Sequence, residues 1–134
     1  MYLKMELTVD HAWKGTMAKI VVVDDEKMQR NMLKGLLEIE GHDVYVAEDG
    51  VHAMEVVKEQ KPDLVLTDLR MPRMDGMDLL RELKTTQSCK TVIVITGHGT
   101  PDDVKTAFVE GAFAYLQKPV DFDDLCGHIK ASLS

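Results

Sequence analysis

Cysteine is scarce in this chain: Cys89 and Cys126 stand far apart, with no CxxC pair and no histidine at ligand spacing. That argues against a disulfide framework or a zinc site and leaves two reduced thiols without assigned chemistry. Long apolar runs are missing too, since none approaches the roughly 20 residues a membrane-spanning helix needs. The opening MYLKMELTVDHAWKGT has neither a continuous apolar stretch nor a small-residue cleavage site. It does not read as a secretory signal, and the expectation is a cytoplasmic protein with no membrane insertion. Positive charge is in deficit: 16 Lys and Arg against 23 Asp and Glu give a net charge of -7. The whole excess lies in residues 18–134, because Lys4 and Lys14 balance Glu6 and Asp10. Such a surface does not favour nucleic-acid phosphates, so no direct nucleic-acid binding is expected. Internal repeats, linkers and low-complexity segments are also absent from the sequence.

What is present is alternation. At 134 residues the chain suits one domain with a real core. KIVVVDD, DVYVA, DLVLTD, TVIVIT and FAYLQ are short apolar runs of the kind found in strands buried on both faces. Helical patterns separate them. Met28, Met32, Leu33, Leu36 and Leu37 recur at helical spacing as one face of a first helix that stops at Gly41. Segments 50–60, 76–84, 101–111 and 122–133 behave similarly, with Val104, Ala107 and Phe108, then Phe122, Leu125 and Ile129, as inner stripes. Five strand–helix alternations predict an α/β fold: a parallel sheet covered by helices on both faces and joined by right-handed crossovers.

In open sheets of this kind the ligand site lies at the carboxyl ends of the strands. The first strand ends on Asp24 and Asp25, the third on Asp68, the fourth on Thr96 and the fifth on Lys118 before Pro119. A lone Asp at a strand end is usually a turn former. Here one sheet edge collects polar groups from four different strands, and a turn preference does not explain that. Two unit charges about 4 Å apart at an effective dielectric near 20 repel by on the order of 4 kcal/mol, so three carboxylates need relief. One could protonate, and Lys118 could neutralise part of the charge, but a hard divalent cation with oxygen ligands fits best. Mg²⁺ is expected, with coordination positions left for water and phosphate oxygens. An ammonium and a hydroxyl beside it suit a transferring phosphoryl group, with Asp68 as nucleophile.

DDE at 24–26, DLRMPRMDG at 68–76, ITGHG at 95–99 and YLQKP at 115–119, in this order, resemble the receiver domain of bacterial two-component response regulators over residues 18–133. The resemblance implies a flavodoxin-like, doubly wound (βα)5 fold with sheet order 2-1-3-4-5. It implies Asp68 as phosphoacceptor, Asp25 and Asp68 as direct metal ligands, Asp24 acting largely through water and the main-chain carbonyl of Arg70 as a further ligand. It also implies that Lys118 pairs with the phosphoryl group, that Thr96 bonds to it, and that Tyr115 changes rotamer with Thr96. A cis bond between Lys118 and Pro119 is a further implication. The implied partners are a histidine kinase or phosphotransfer protein, and a second receiver binding through segment 101–111, the fifth strand and segment 122–133. A receiver is not an enzyme in its own right, but it assists its own phosphorylation and dephosphorylation. Arg70 and His98 flank the phosphoryl position and are expected to tune hydrolysis. His11, His42, His52 and His128 read as surface residues, and the nine methionines as packing.

Rival readings fare worse. An aspartyl phosphatase of the haloacid dehalogenase type needs a DxD pair where this chain has DDE. A flavodoxin needs a phosphate loop that acids would repel. A receiver that docks partners without phosphorylation remains the serious alternative. In residues 1–17, Leu3, Met5, Leu7 and Val9 alternate with polar residues. They read either as an extra edge strand or arm, or as sequence before a true start at Met17. No effector sequence follows the last helix, so the regulator either stands alone or is part of a longer protein. The wording TGHG and GAFAYLQKP is similar to receivers attached to transcriptional activators.

Overall fold

A computed structural model of the chain describes residues 17–134. The strand periodicity of Leu3 to Val9 therefore rests on positions outside the described residues. The elements run β1 (Lys19–Val23), α1 (Lys27–Ile39), β2 (Asp43–Ala47), α2 (Gly50–Gln60), β3 (Leu64–Thr67), α3 (Gly76–Thr86), β4 (Val92–Thr96), α4 (Pro101–Val109), β5 (Ala114–Gln117) and α5 (Phe122–Leu133). All five strands pair in parallel in the order β2-β1-β3-β4-β5. This is the flavodoxin-like, doubly wound arrangement.

Strand geometry turns the apolar runs into two cores, because successive side chains point to opposite faces. Val21, Val23, Val65 and Val94 face α2, α3 and α4, meeting Ala53, Val57, Leu79, Leu80, Leu83 and Ala107. Ile20, Val22, Leu64, Leu66, Ile93 and Ile95 face α1 and α5, meeting Leu37, Leu125 and Ile129. Both faces of the sheet are dry, and this is why the strands read as continuous apolar runs.

Helix starts are marked by short acceptors. Asp49, Asp75 and Asp121 cap α2, α3 and α5 by accepting from the N–H groups of His52, Asp78 and Asp124. Thr100 and Asp103 form a reciprocal capping box at α4, with Pro101 in the first turn. Glu26 precedes α1 without a side-chain cap.

The stripe expected on α1 is only partly an inner one. Leu37 is buried and Leu33 packs against the core, but Met28 is 83% and Met32 60% exposed, and Leu36 and Ile39 also reach solvent. One turn of helix brings only about two of its residues against a sheet, so a five-residue apolar stripe spills over its edge. Phe108 departs in the same way, standing 48% exposed at the end of α4 while Ala107 is buried. His42 is less peripheral than expected: its Nδ1 accepts from the N–H of Ala18 at 3.0 Å, tying β2 to the start of β1. Burial holds the imidazole below its usual pKa, against the pull of Glu40.

Candidate functional site

Because β1 and β3 are neighbours whose connections leave on opposite faces, their carboxyl ends flank the topological switch point. Asp24 and Asp25 follow β1 directly, and Asp68 follows β3. Carboxylate oxygens from these three residues lie within 4.8 Å of one another. Asp24 and Asp68 are buried, whereas Asp25 is exposed.

Every inner oxygen of the group is held. Asp68 Oδ1 accepts from the N–H groups of Leu69 (2.6 Å) and Arg70 (3.3 Å). Its Oδ2 accepts from Lys118 Nζ at 2.7 Å, and the same ammonium donates to Asp24 Oδ2 at 3.0 Å. Asp24 Oδ1 accepts from the N–H of Glu26 at 2.9 Å, while the Asp24 main-chain carbonyl accepts from Arg30 Nη1 at 2.7 Å. Both Asp24 oxygens are thus occupied, one at the start of α1 and one by Lys118. Burial opposes the charge on Lys118, but the hydrogen bonds to Asp68 and Asp24 outweigh it and hold the ammonium above its ordinary pKa. Three carboxylates and one ammonium leave two negative charges at the edge of a dry sheet. All-oxygen donors with that residual charge fit a small divalent cation.

Thr96, the last residue of β4, is fully buried, and its Oγ1 accepts from the N–H of His98 at 3.2 Å. Lys118 follows β5, and the Lys118–Pro119 bond is cis. Arg70 is two residues beyond Asp68, but its guanidinium reaches the other way, to Asp103 Oδ2 on α4 at 3.0 Å. His98 is exposed on the loop after β4. A cleft of about 450 Å³ opens beside Asp24, Asp68 and Lys118, walled by Met32 and Leu36 of α1 and by Val120 and Phe122.

Tyr115 packs against the core on the α4 side, and its hydroxyl is buried without a hydrogen-bond partner among the described residues. Burial raises its pKa, with Asp103 adding to the rise. Gly99 makes the space: a Cβ there would overlap the Tyr115 hydroxyl and press on the Thr96 methyl. The rotamer expected to turn inward with Thr96 therefore already has its hydroxyl lodged beside the β4–α4 loop. A buried hydroxyl without a partner costs about 1–3 kcal/mol, so Tyr115→Phe is expected to melt no lower than wild type. A thermal melt lower by several degrees would show that the hydroxyl contributes a bond.

Three features escaped the motif reading: Arg30 on the Asp24 carbonyl, the Asp103 partner of Arg70, and a pair between Arg73 and Asp49. The last two join residues 33 and 24 positions apart. Only the Asp-Gly step at 49–50, which marks a helix start, carried any signal.

Comparison with known proteins places this geometry. The family model described as response regulator receiver domain matches residues 20–130. The chain is 41% identical over 108 residues to transcriptional regulatory protein GlrR of Escherichia coli (strain K12), covering 81% of this chain and 24% of that protein. It is 33% identical over 115 residues to sporulation initiation phosphotransferase F of Bacillus subtilis (strain 168), covering 86% of this chain and 93% of that one. It thus spans about a quarter of the first relative and nearly all of the second. Among solved structures, a response regulator receiver domain protein from Clostridium thermocellum superposes with a TM-score of 0.82 at 41% identity, over 87% of this chain and 94% of that one. With fold, matched span and identity in agreement, the chain belongs to the response regulator receiver domain family, the phosphorylation-dependent signalling domains of two-component systems.

Proposed function

We propose that this receiver accepts a phosphoryl group on Asp68 from the phosphohistidine of a histidine kinase or phosphotransfer protein, and that residues 18–134 form the receiver domain. The observation that carries this reading is Lys118 Nζ, shared between Asp68 Oδ2 and Asp24 Oδ2 in a three-carboxylate group. An Asp held only as a turn former has no use for a half-buried lysine and two further acids.

Asp25 and Asp68 would hold Mg²⁺ directly, Asp24 through water, and the Arg70 main-chain carbonyl would complete the protein ligands. Bound there, Mg²⁺ supplies charge neutralisation for incoming phosphoryl oxygens. A carboxylate oxygen of Asp68 attacks the phosphorus in line. The new P–O bond forms as the P–N bond to the donor imidazole breaks, and that electron pair returns to the imidazole nitrogen. Lys118 transfers its hydrogen bond from Asp68 Oδ2 to a phosphoryl oxygen, and Thr96 donates its hydroxyl to another. In hydrolysis, water attacks the phosphorus as the P–O bond to Asp68 breaks; the electron pair returns to the carboxylate and inorganic phosphate leaves, so the protein is a regulator that assists both transfers rather than an enzyme with turnover of its own.

An acyl phosphate adds negative charge and acceptor oxygens at the end of β3, drawing Thr96 toward it. Movement of Thr96 loosens the packing beside Tyr115 and reshapes α4, β5 and α5, the face for a second receiver or another partner. Phosphohistidine donors of this kind act in the cytoplasm, where the protein is expected to work. Among the described residues no helix is long and apolar enough to cross a membrane.

Incubation with acetyl phosphate and Mg²⁺, followed by intact-mass measurement, is expected to show one added phosphate that chelation of the metal prevents. A chain that takes up none would favour the receiver that docks without phosphorylation.

A further inference from the structure

Arg73 and Asp49 lie outside the acid cluster and form an ion pair held by two hydrogen bonds. The guanidinium donates twice to one carboxylate, Nε to Oδ2 at 2.7 Å and Nη2 to Oδ1 at 3.0 Å. Asp49 is buried to 3% exposure, and it also accepts from the N–H of His52 at 2.8 Å as the cap of α2. A two-pronged bond of this type fixes orientation as well as distance.

What it orients is the loop between β3 and α3. Arg73 is at φ 65°, a left-handed conformation that arginine seldom adopts. One residue on, the Met74 carbonyl accepts from the N–H of Gly50 at 2.9 Å, and a Cβ on Gly50 would collide with Met74. At the base of the loop the N–H of Gly76 donates to the Leu69 carbonyl at 2.8 Å, and a Cβ on Gly76 would overlap the Asp68 carbonyl. The loop is therefore clamped at its root by Gly76 and at its outer bend by Asp49 and Gly50 of the neighbouring α2. Arg70 lies on the stretch between those clamps.

We infer that Arg73, anchored on buried Asp49, is a positioning residue for the metal and phosphoryl site: it holds the Asp68–Gly76 loop so that the main chain at Arg70, whose N–H donates to Asp68 Oδ1 at 3.3 Å, stays beside the acid cluster. This rests on the proposed Mg²⁺-dependent phosphoacceptor reading. Without the anchor, among the described residues the bend at Arg73 keeps only the Gly50–Met74 hydrogen bond to α2, and the main chain at Arg70 is held beside Asp68 part of the time.

The test is a titration with Mg²⁺ alone, followed by NMR, on wild type and variants, with a metal-free melt of each. Arg73→Asn is suitable because asparagine tolerates the left-handed backbone while removing the fork. It is expected to weaken Mg²⁺ binding by roughly three- to tenfold, less than the ~10–100-fold seen when a partner bonded directly to a ligand is lost. Arg73→Lys, which keeps the charge but not the fork, should fall between the two. Arg73→Asn also strands the buried Asp49 charge and lowers the melt. In the double variant with Asp49→Asn that charge is gone and the helix cap is kept, so the melt should recover while Mg²⁺ binding stays weak. A purely structural pair would have both recover together, and that result overturns the inference. So does an Arg73→Asn variant that binds Mg²⁺ within about twofold of wild type. Asp25→Ala separates the levels: if wild type binds Mg²⁺ no better than Asp25→Ala, the acid-cluster reading itself fails and the inference falls with it. If Asp25→Ala loses binding while Arg73→Asn keeps it, only the positioning role is wrong.

Discussion

Asp68→Asn is expected to take up no stable phosphate from acetyl phosphate under conditions that phosphorylate the wild type. An amide oxygen shares its electron pair with nitrogen and is a far poorer nucleophile than a carboxylate, and it cannot yield the same acyl phosphate. The fold should survive. The two oxygens of Asp68 are matched to different donors, the Leu69 and Arg70 N–H groups on one side and Lys118 Nζ on the other. An asparagine can satisfy only one side, because its NH₂ group must face a donor, and the lost bond costs about 1 kcal/mol. Removing one of three neighbouring carboxylates offsets part of that loss. Intact-mass measurement decides the matter, and a full phosphate on the variant would place the acceptor elsewhere.

Lys118→Ala should reduce both phosphate uptake and stability. It leaves Asp24 and Asp68, both buried, beside Asp25 with no cation. Removing one partner of a buried pair typically costs about 3–5 kcal/mol. The Lys118 side chain is still 21% exposed, so a loss on the order of 2 kcal/mol is expected here. Mg²⁺ should restore more stability to the variant than it adds to wild type, since it replaces the missing charge. The pH dependence follows from the raised folded-state pKa of Lys118. Its contribution is complete below the ordinary lysine value of 10.5 and is lost as pH rises through the higher folded value. The gap between wild type and variant should therefore be steady around neutrality and close only in strong alkali. Equal unfolding midpoints for the two at pH 7 would show that the ammonium does not relieve the acids.

Much of this architecture was legible because parallel strands all run the same way. Counting to the end of each apolar run was enough to put Asp24, Asp25, Asp68, Thr96 and Lys118 on one edge, since β1, β3, β4 and β5 deliver their last residues there. The α1 stripe was less legible. Helical spacing puts Met28 and Met32 in line with Leu33 and Leu37, yet spacing does not say where the sheet ends, and the two methionines lie past it. His42 was misjudged for a related reason: nothing local shows that the N–H of Ala18 will need an acceptor.

The sequence by itself determined the class of fold and the edge that carries the chemistry. Period-two and period-3.6 patterns are local properties, and the direction of a parallel sheet converts them into a shared address. Tertiary structure alone decided which of those groups bond to one another. Lys118 meets Asp68 across 50 residues of chain and Asp24 across 94, Arg73 crosses 24 to reach Asp49, and Arg70 turns away from the acids to Asp103, 33 residues on. Such partners are chosen by the twist and register of the packed sheet and by how the loops lean on each other. A charged side chain is long enough to reach several candidates, and only the folded geometry selects among them.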